Sequence, residues 1–246
     1  MKFFAASDVG QLRNMNQDYY YASKELEYSL FILADGMGGY NGGEIASKLA
    51  TEAVVEFIKE NFPKTQRNKE SIMELISFAI KYSNEKVFEL GKKTEGLELM
   101  GTTLEICLIH KERAYIGHIG DSRIYRLRQG ILRRLTLDHS YIQKLVTDGT
   151  ITKEEAEFHP KKNMLIKALG CEANIEPDIM VKGFKNLDKL LICSDGLTNM
   201  IPEDEIKKII TENSAEDAIN LLIKIANEYG GKDNITAILV ESEMEG

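Results

Sequence analysis

The chain has 246 residues, long enough for one large domain with a sizeable core. Its 39 acidic side chains outnumber 31 basic ones and leave a net charge of -8, which argues against the basic stripe of a nucleic-acid binder. No run of about 18 apolar residues marks a membrane span, the opening MKFFAASD lacks the segments of a secretory signal, and Cys107, Cys171 and Cys193 follow no metal-ligand spacing, so a soluble, monomeric, cytoplasmic protein in a reducing compartment is expected.

In chain order, short apolar or alternating runs predict strands over residues 2–7, 18–22 and 28–34. Apolar residues at helical spacing then predict two consecutive helices, 43–61 and 69–91. Strands follow at 103–109, 114–119, 124–127 and 132–135, the last two joined as a hairpin around Arg128 to Gly130. The polar, charged segment 140–163 reads as a small helical excursion with a capping box from Thr152 to Glu155, and is the candidate for a mobile flap. Strands at 179–184 and 189–193 precede a second helix pair, 202–212 with Pro202 in its first turn and 215–229 opened by a box from Ser214 to Asp217. A strand at 235–240 closes the pattern.

Helices that come in consecutive pairs between runs of strands do not fit a βαβ alternation. They fit layers: an α+β fold of two mainly antiparallel sheets, each covered on its outer face by a helix pair. Loops from both sheets would then meet at one rim.

Four aspartates stand at the edges of predicted strands: Asp35 after FILA, Asp121 after YIGHIG, Asp195 after LLICS, and Asp233 before NITAILV. Asp-Gly is also a hairpin signal, but Gly36 and Gly196 are followed by glycine-rich or helical sequence in place of a second strand. Asp121, taken alone, reads equally as a turn residue. Carboxylates that gather at one rim repel one another and lose solvation together, which a hard cation relieves. An all-oxygen donor set favours magnesium or manganese over zinc or copper. Two such ions about 3.5 to 4 Å apart make water acidic enough to attack a phosphate ester, and Arg13 supplies a planar fork that matches two phosphate oxygens.

The strings SDVGQLRNMNQD at 7–18, ADGMGG at 34–39, GTT at 101–103, GDSR at 120–123, TLDHS at 136–140, HPKKN and ALG between 159 and 170, SDGL at 194–197 and GGKDNIT at 230–236 span the chain. Together and in this order they resemble the metal-dependent protein phosphatases of type 2C, in particular the small bacterial members that oppose Ser/Thr kinases.

The resemblance implies a four-layer αββα sandwich formed by residues 1–246 as a single catalytic domain, with the flap at about 140–163. It implies hydrolysis of phosphoserine and phosphothreonine on proteins, with a cognate kinase and its substrates as partners. Asp35 would bridge two manganese or magnesium ions, with the Gly36 carbonyl on the second. Asp195 and Asp233 would complete the first ion's shell, Asp18 would serve the second ion largely through water, and Asp121 with Asp195 would hold a weaker third ion. Arg13 would grip the phosphate without touching the metals.

Met37 stands where eukaryotic relatives place a histidine able to protonate the leaving oxygen, and Tyr40 where many bacterial relatives have one. That leaves Tyr40, a water, or the flap histidines His139 and His159 as donors, against a structural reading of both histidines; His110 and His118 read as structural or solvated. Three rivals remain. Cys107 and Arg113 have the spacing of a thiol phosphatase loop, although LIHKE between them has no glycine. Asp35 could act covalently, although Met37 replaces the acid that chemistry uses. A catalytically silent, phosphoprotein-binding relative would have lost a metal ligand.

Overall fold

The computed structural model describes residues 1–38 and 42–242. Its first half comprises β1 (Lys2–Asp8), β2 (Asp18–Lys24), β3 (Ser29–Met37), α1 (Gly42–Asn61), α2 (Lys69–Lys93), β4 (Gly101–Thr102), β5 (Leu104–His110) and β6 (Arg113–Ile119). The second half comprises β7 (Arg123–Arg128), β8 (Ile131–Arg134), α3 (Tyr141–Thr147), α4 (Lys153–Glu157), β9 (Asp178–Gly183), β10 (Lys189–Cys193), α5 (Asp195–Thr198), α6 (Glu203–Glu212), α7 (Ala215–Glu228) and β11 (Ile235–Glu241).

The strands form two antiparallel sheets, one in the order β1-β11-β10-β7-β8 and the other β2-β3-β5-β6-β9 with β4 on β3. Period-two alternation explains why they stack. On β3, Leu30, Ile32 and Ala34 pack into one core with Val54 and Ile58 of α1 and Ile76 and Ile80 of α2, while Phe31 and Leu33 point the other way. There they meet Ile192 and Ile238 of the first sheet. That sheet buries Leu191, Ala237 and Leu239 on its far side against Ile206 and Ile210 of α6 and Ile219 and Leu222 of α7. Three cores thus separate four layers, α1/α2, sheet, sheet, α6/α7, as the helix pairing predicts.

All ten predicted strands and four long helices are present, with shifted ends. Pro202 is the N-cap of α6 and does not lie in its first turn. Ser214 caps α7 by accepting from the Asp217 amide, but the Asp217 carboxylate takes the Ser214 hydroxyl and leaves the backbone half of the box unmade. The Thr152–Glu155 box is complete. β4 and the single-turn α5 are additions that the sequence pattern does not predict. The excursion is pinned at its root, where the Tyr141 amide donates to the Met164 carbonyl at 2.8 Å and the Ile166 amide to the His139 carbonyl at 2.9 Å. Among the described residues no helix is long and apolar enough to cross a membrane.

Candidate metal centre

β3 runs through Asp35 to Met37, so this aspartate lies within a strand and not at its end. It continues the Phe31 and Leu33 row that faces the other sheet, and the β2–β3 register sets Asp18 directly opposite it. Like charges in that relation are destabilising. The GTT motif fixes the backbone: the Thr103 hydroxyl accepts from the Asp35 amide at 2.9 Å, and the Thr103 amide and Thr102 hydroxyl both donate to the Asp35 carbonyl at 2.9 Å. Gly36 is required because a Cβ there would come within 2.0 Å of the Gly43 carbonyl oxygen at the start of α1.

The first sheet delivers its acids to the same rim. Asp195 opens α5 directly after β10, and Gly196 behind it lies so close to Asn234 that a Cβ would meet that carbonyl oxygen at 2.0 Å. Asp233 precedes β11. Asp121 belongs to the crossover from β6 to β7, with Gly120 at φ 110 turning the chain and Ser122 bonded to Thr103 at 2.9 Å. The hairpin-turn reading of Asp121 therefore fails: the hairpin lies beyond it, between β7 and β8.

Asn234 ties the N-terminal loop to this rim. Its side chain accepts from the Gln17 amide at 2.8 Å and donates to the carbonyls of Val9 and Met15 at 2.9 Å each. Arg13, carried on that loop and 51% exposed, places Nη2 2.7 Å from Asp233 Oδ2. Arg13 thus reaches the rim and pairs with one of its acids.

Burial pushes the Asp18 carboxyl up to about 7, against hydrogen bonds from Thr236 and Ser194, and Asp195 and Asp233 add repulsion. Burial and four neighbouring aspartates raise Asp35 well above the carboxylate range. Burial and then Asp195 and Asp138 raise Asp121 to about 8, and burial followed by Asp233 raises Asp195. Asp18 Oδ1 is buried without a hydrogen-bond partner. Uncompensated acids of this kind fit a hard divalent cation. They are gathered at one rim, although among the described residues no three His, Cys, Asp or Glu side chains already surround one point.

A cavity of about 820 Å³ opens on Asp35, Asp121, Asp195, Asp233 and Arg13, and its outer wall is the chain after the excursion, from Asn163 to Ala168. Asp18 lies behind it and does not line it. Met37 lines it and cannot donate a proton. Neither His139 nor His159 reaches it: each holds a backbone amide on Nδ1, from Gly120 at 3.2 Å and from Lys161 at 3.1 Å. Burial, followed by the nearby His118, lowers His139 to about 4. Tyr40 lies outside the described residues. His118 is buried between Glu105 on Nδ1 and the Leu137 carbonyl on Nε2, and His110 is buried with Nδ1 on the Glu27 carbonyl at 2.8 Å.

The rival nucleophile fails on position. Cys107 is buried between the sheets, where burial pushes its thiol up to about 12, and Arg113 is exposed at the far end of the β5–β6 hairpin. Sequence reasoning missed the parts played by Asn234, by Thr103 and by the wall at 163–168. GTT and DNIT are visible as motifs, but which backbone groups they hold is set by contacts distant in sequence.

The family model described as protein phosphatase 2C matches residues 11–240. The serine/threonine phosphatase stp of Listeria welshimeri is 38% identical over 241 residues, covering 97% of this chain and 94% of that protein. The solved serine/threonine phosphatase of S. agalactiae superposes with a TM-score of 0.89 at 38% identity, covering 98% of this chain and 99% of that one. The catalytic domain of the phosphatase PstP in complex with two manganese ions superposes with a TM-score of 0.86 at 31% identity, over 99% and 98% of the two chains. With four layers, an all-carboxylate rim and likeness over its whole length, this chain belongs to the protein phosphatase 2C family.

Proposed function

We propose that the chain is a metal-dependent hydrolase of phosphoserine and phosphothreonine on proteins, acting as one catalytic domain with a flap at about 140–163. The observation that carries this reading is the set of partly buried, mutually repelling aspartates that lines a cavity beside one exposed arginine. Asp35 would serve both of two manganese or magnesium ions with the Gly36 carbonyl on the second; Asp195 and Asp233 would complete the first ion's shell; Asp18 would act on the second ion largely through water; Asp121 with Asp195 would hold a weaker third ion. Bound there, the ions supply charge neutralisation and an acidified water nucleophile.

The chain's own side chains do the rest. Arg13 swings from Asp233 to present its fork to the phosphate, which its exposure permits. Thr102 and Thr103 keep Asp35 from shifting as charge redistributes. With Met37 at the rim, the leaving seryl oxygen takes its proton from solvent or from Tyr40. A silent binding module is disfavoured because such a relative has no need to keep five acids at a position that costs stability. A monomer in the cytoplasm, opposing a Ser/Thr kinase, fits three unpaired cysteines and the absence of a membrane-spanning helix among the described residues.

The test is phosphate release from a phosphothreonine peptide with manganese, magnesium or chelator present. Activity that needs the ion and survives thiol alkylation is expected; full activity in chelator would overturn the reading.

A further inference from the structure

β5 leads from the residue after Thr103 at the rim to His110, roughly 20 Å away at the other end of the sandwich. There a second cavity, of about 380 Å³, is bounded by Arg67, His110, Lys111, Glu112, Arg113 and Tyr115. In a chain of net charge -8, its walls carry three permanent cations and one carboxylate. Arg67 is paired with Glu27 at 2.5 Å, but no ion pair joins Lys111 or Arg113 to an acid among the described residues, and both side chains are exposed.

Lys111 is the first of the two residues that turn β5 into β6, and its left-handed backbone, at φ 54, belongs to that turn. Arg113 lies opposite Gly183 in the β6–β9 register, and the Gly183 carbonyl accepts from Arg126 at 3.2 Å and from Arg128 at 3.0 Å, of which Arg128 is also paired with Asp188.

We propose that this cavity is an oxyanion exosite that binds a phosphoryl group held apart from the catalytic rim, with Lys111 and Arg113 as its principal donors. A tetrahedral dianion suits two unpaired cations better than a carboxylate does, since it offers three charged oxygens and the Arg113 fork can take two of them. The source is either free phosphate or a second phosphorylated position on a protein. In the latter case the exosite holds a multiply phosphorylated partner while another of its residues is at the rim. The proposal stands apart from the catalytic reading and can fail without it.

The test is an amide-resolved NMR titration of the full, magnesium-loaded chain with inorganic phosphate, with a non-hydrolysable phosphonate peptide, and with sodium chloride at matched ionic strength. Saturable shifts at residues 110–113 are expected with a phosphoryl ligand, in wild type and in Arg13→Ala alike. Lys111→Gly with Arg113→Gln should weaken them by at least about tenfold and leave hydrolysis of a small aryl phosphate within about twofold, as for distant sites. Glycine suits the left-handed turn, so folding is preserved, and Arg113→Lys alone should keep part of the binding. Binding of phosphate as tight as that of the peptide identifies the free anion as the ligand; peptide binding about tenfold tighter identifies a phosphorylated segment. Shifts that follow chloride equally, or that persist undiminished in the double variant, overturn the proposal.

Discussion

Asp138 and Asp35 are both partly buried acids near the same rim, yet the charges around them differ. Asp138 takes Arg123 through Nε at 3.2 Å and Nη2 at 2.8 Å and also accepts from Arg134, and its burial is matched by charge. Burial would lower the Arg123 guanidinium, but Asp138 raises it above its usual range. Glu105 is likewise given His118: burial pushes the acid up to about 7, and burial of the imidazole is outweighed by Glu105, which raises it. The charges that act on Asp35 are other aspartates. A fold that neutralises one set of acids with its own arginines has given the adjoining set only Arg13 on Asp233 and a share of Arg123 for Asp121 and Asp195, and that contrast separates acids that hold the rim together from acids that await a ligand.

The contrast breaks most sharply at Asp35. Asp35→Asn should cut phosphopeptide turnover by about 10³ or more, as for loss of a major electrostatic stabiliser. In chelator at pH 8, however, the same variant should melt at a higher temperature than wild type, because repulsion is relieved. A variant that kept a tenth of the activity would remove Asp35 from the chemistry.

Asp138→Asn is the opposite experiment. It leaves Arg123 and Arg134 without their carboxylate in a largely buried site, so urea denaturation should show a loss of about 3 kcal/mol, with most of the turnover per folded molecule retained. Unchanged stability would show that the pairing is ornamental.

Arg13 lies between the two cases, a cation on one member of the adjoining set. Arg13→Ala should lower kcat/KM by about 1.5 to 3 kcal/mol of lost charged hydrogen bonding, with Arg13→Lys restoring part of it. Calorimetry should show metal affinity held or tightened, since Asp233 is freed; clearly weaker binding would make Arg13 a support for the ligands and not a phosphate grip.

The pH dependence sharpens the comparison further. Asp18 at about 7 and Asp121 at about 8 both lie above the 3.8 of an ordinary aspartate. The folded state therefore binds their protons more tightly than the unfolded one, so their contribution is fully present below about pH 4 and is lost progressively as pH rises from there through about 7 to 8. In chelator the melting temperature should decline over that window, and manganese should raise it more at pH 8 than at pH 6. A chelated protein whose melting point climbed with pH would refute the account. The smallest effect is expected at Cys107, where Cys107→Ser between the sheets should leave turnover within about twofold.

Much of this was legible in the sequence because it is local. The alternation of Leu30, Phe31, Ile32 and Leu33 announces a strand buried on both faces, and the helix pairs announce layers. Asp35, Asp195 and Asp233 stand out because each interrupts an apolar run. What was not legible depends on register and on distance along the chain: that Asp18 faces Asp35 across two strands, that Arg13 rests on Asp233, and that Asn234 fastens a loop more than two hundred residues away in sequence. Gly101–Thr102 is too short to carry a period, so β4 could not be seen, although its pairing with β3 extends that strand past Asp35.

The pairing of β1 with β11 has a consequence for the order of events during synthesis. β11 lies between β1 and β10, from Lys2 opposite Glu241 to Asp8 opposite Ile235. β1 therefore has no neighbour in its own sheet until β11, more than two hundred residues later, has been made, and the loop bearing Arg13 waits for Asn234 throughout. At about 5 to 20 residues per second, the nascent chain spends most of its synthesis unable to assemble its reaction centre. Catalytic competence is thus tied to the synthesis of β11, so a product that stops short of it would leave phosphoproteins untouched.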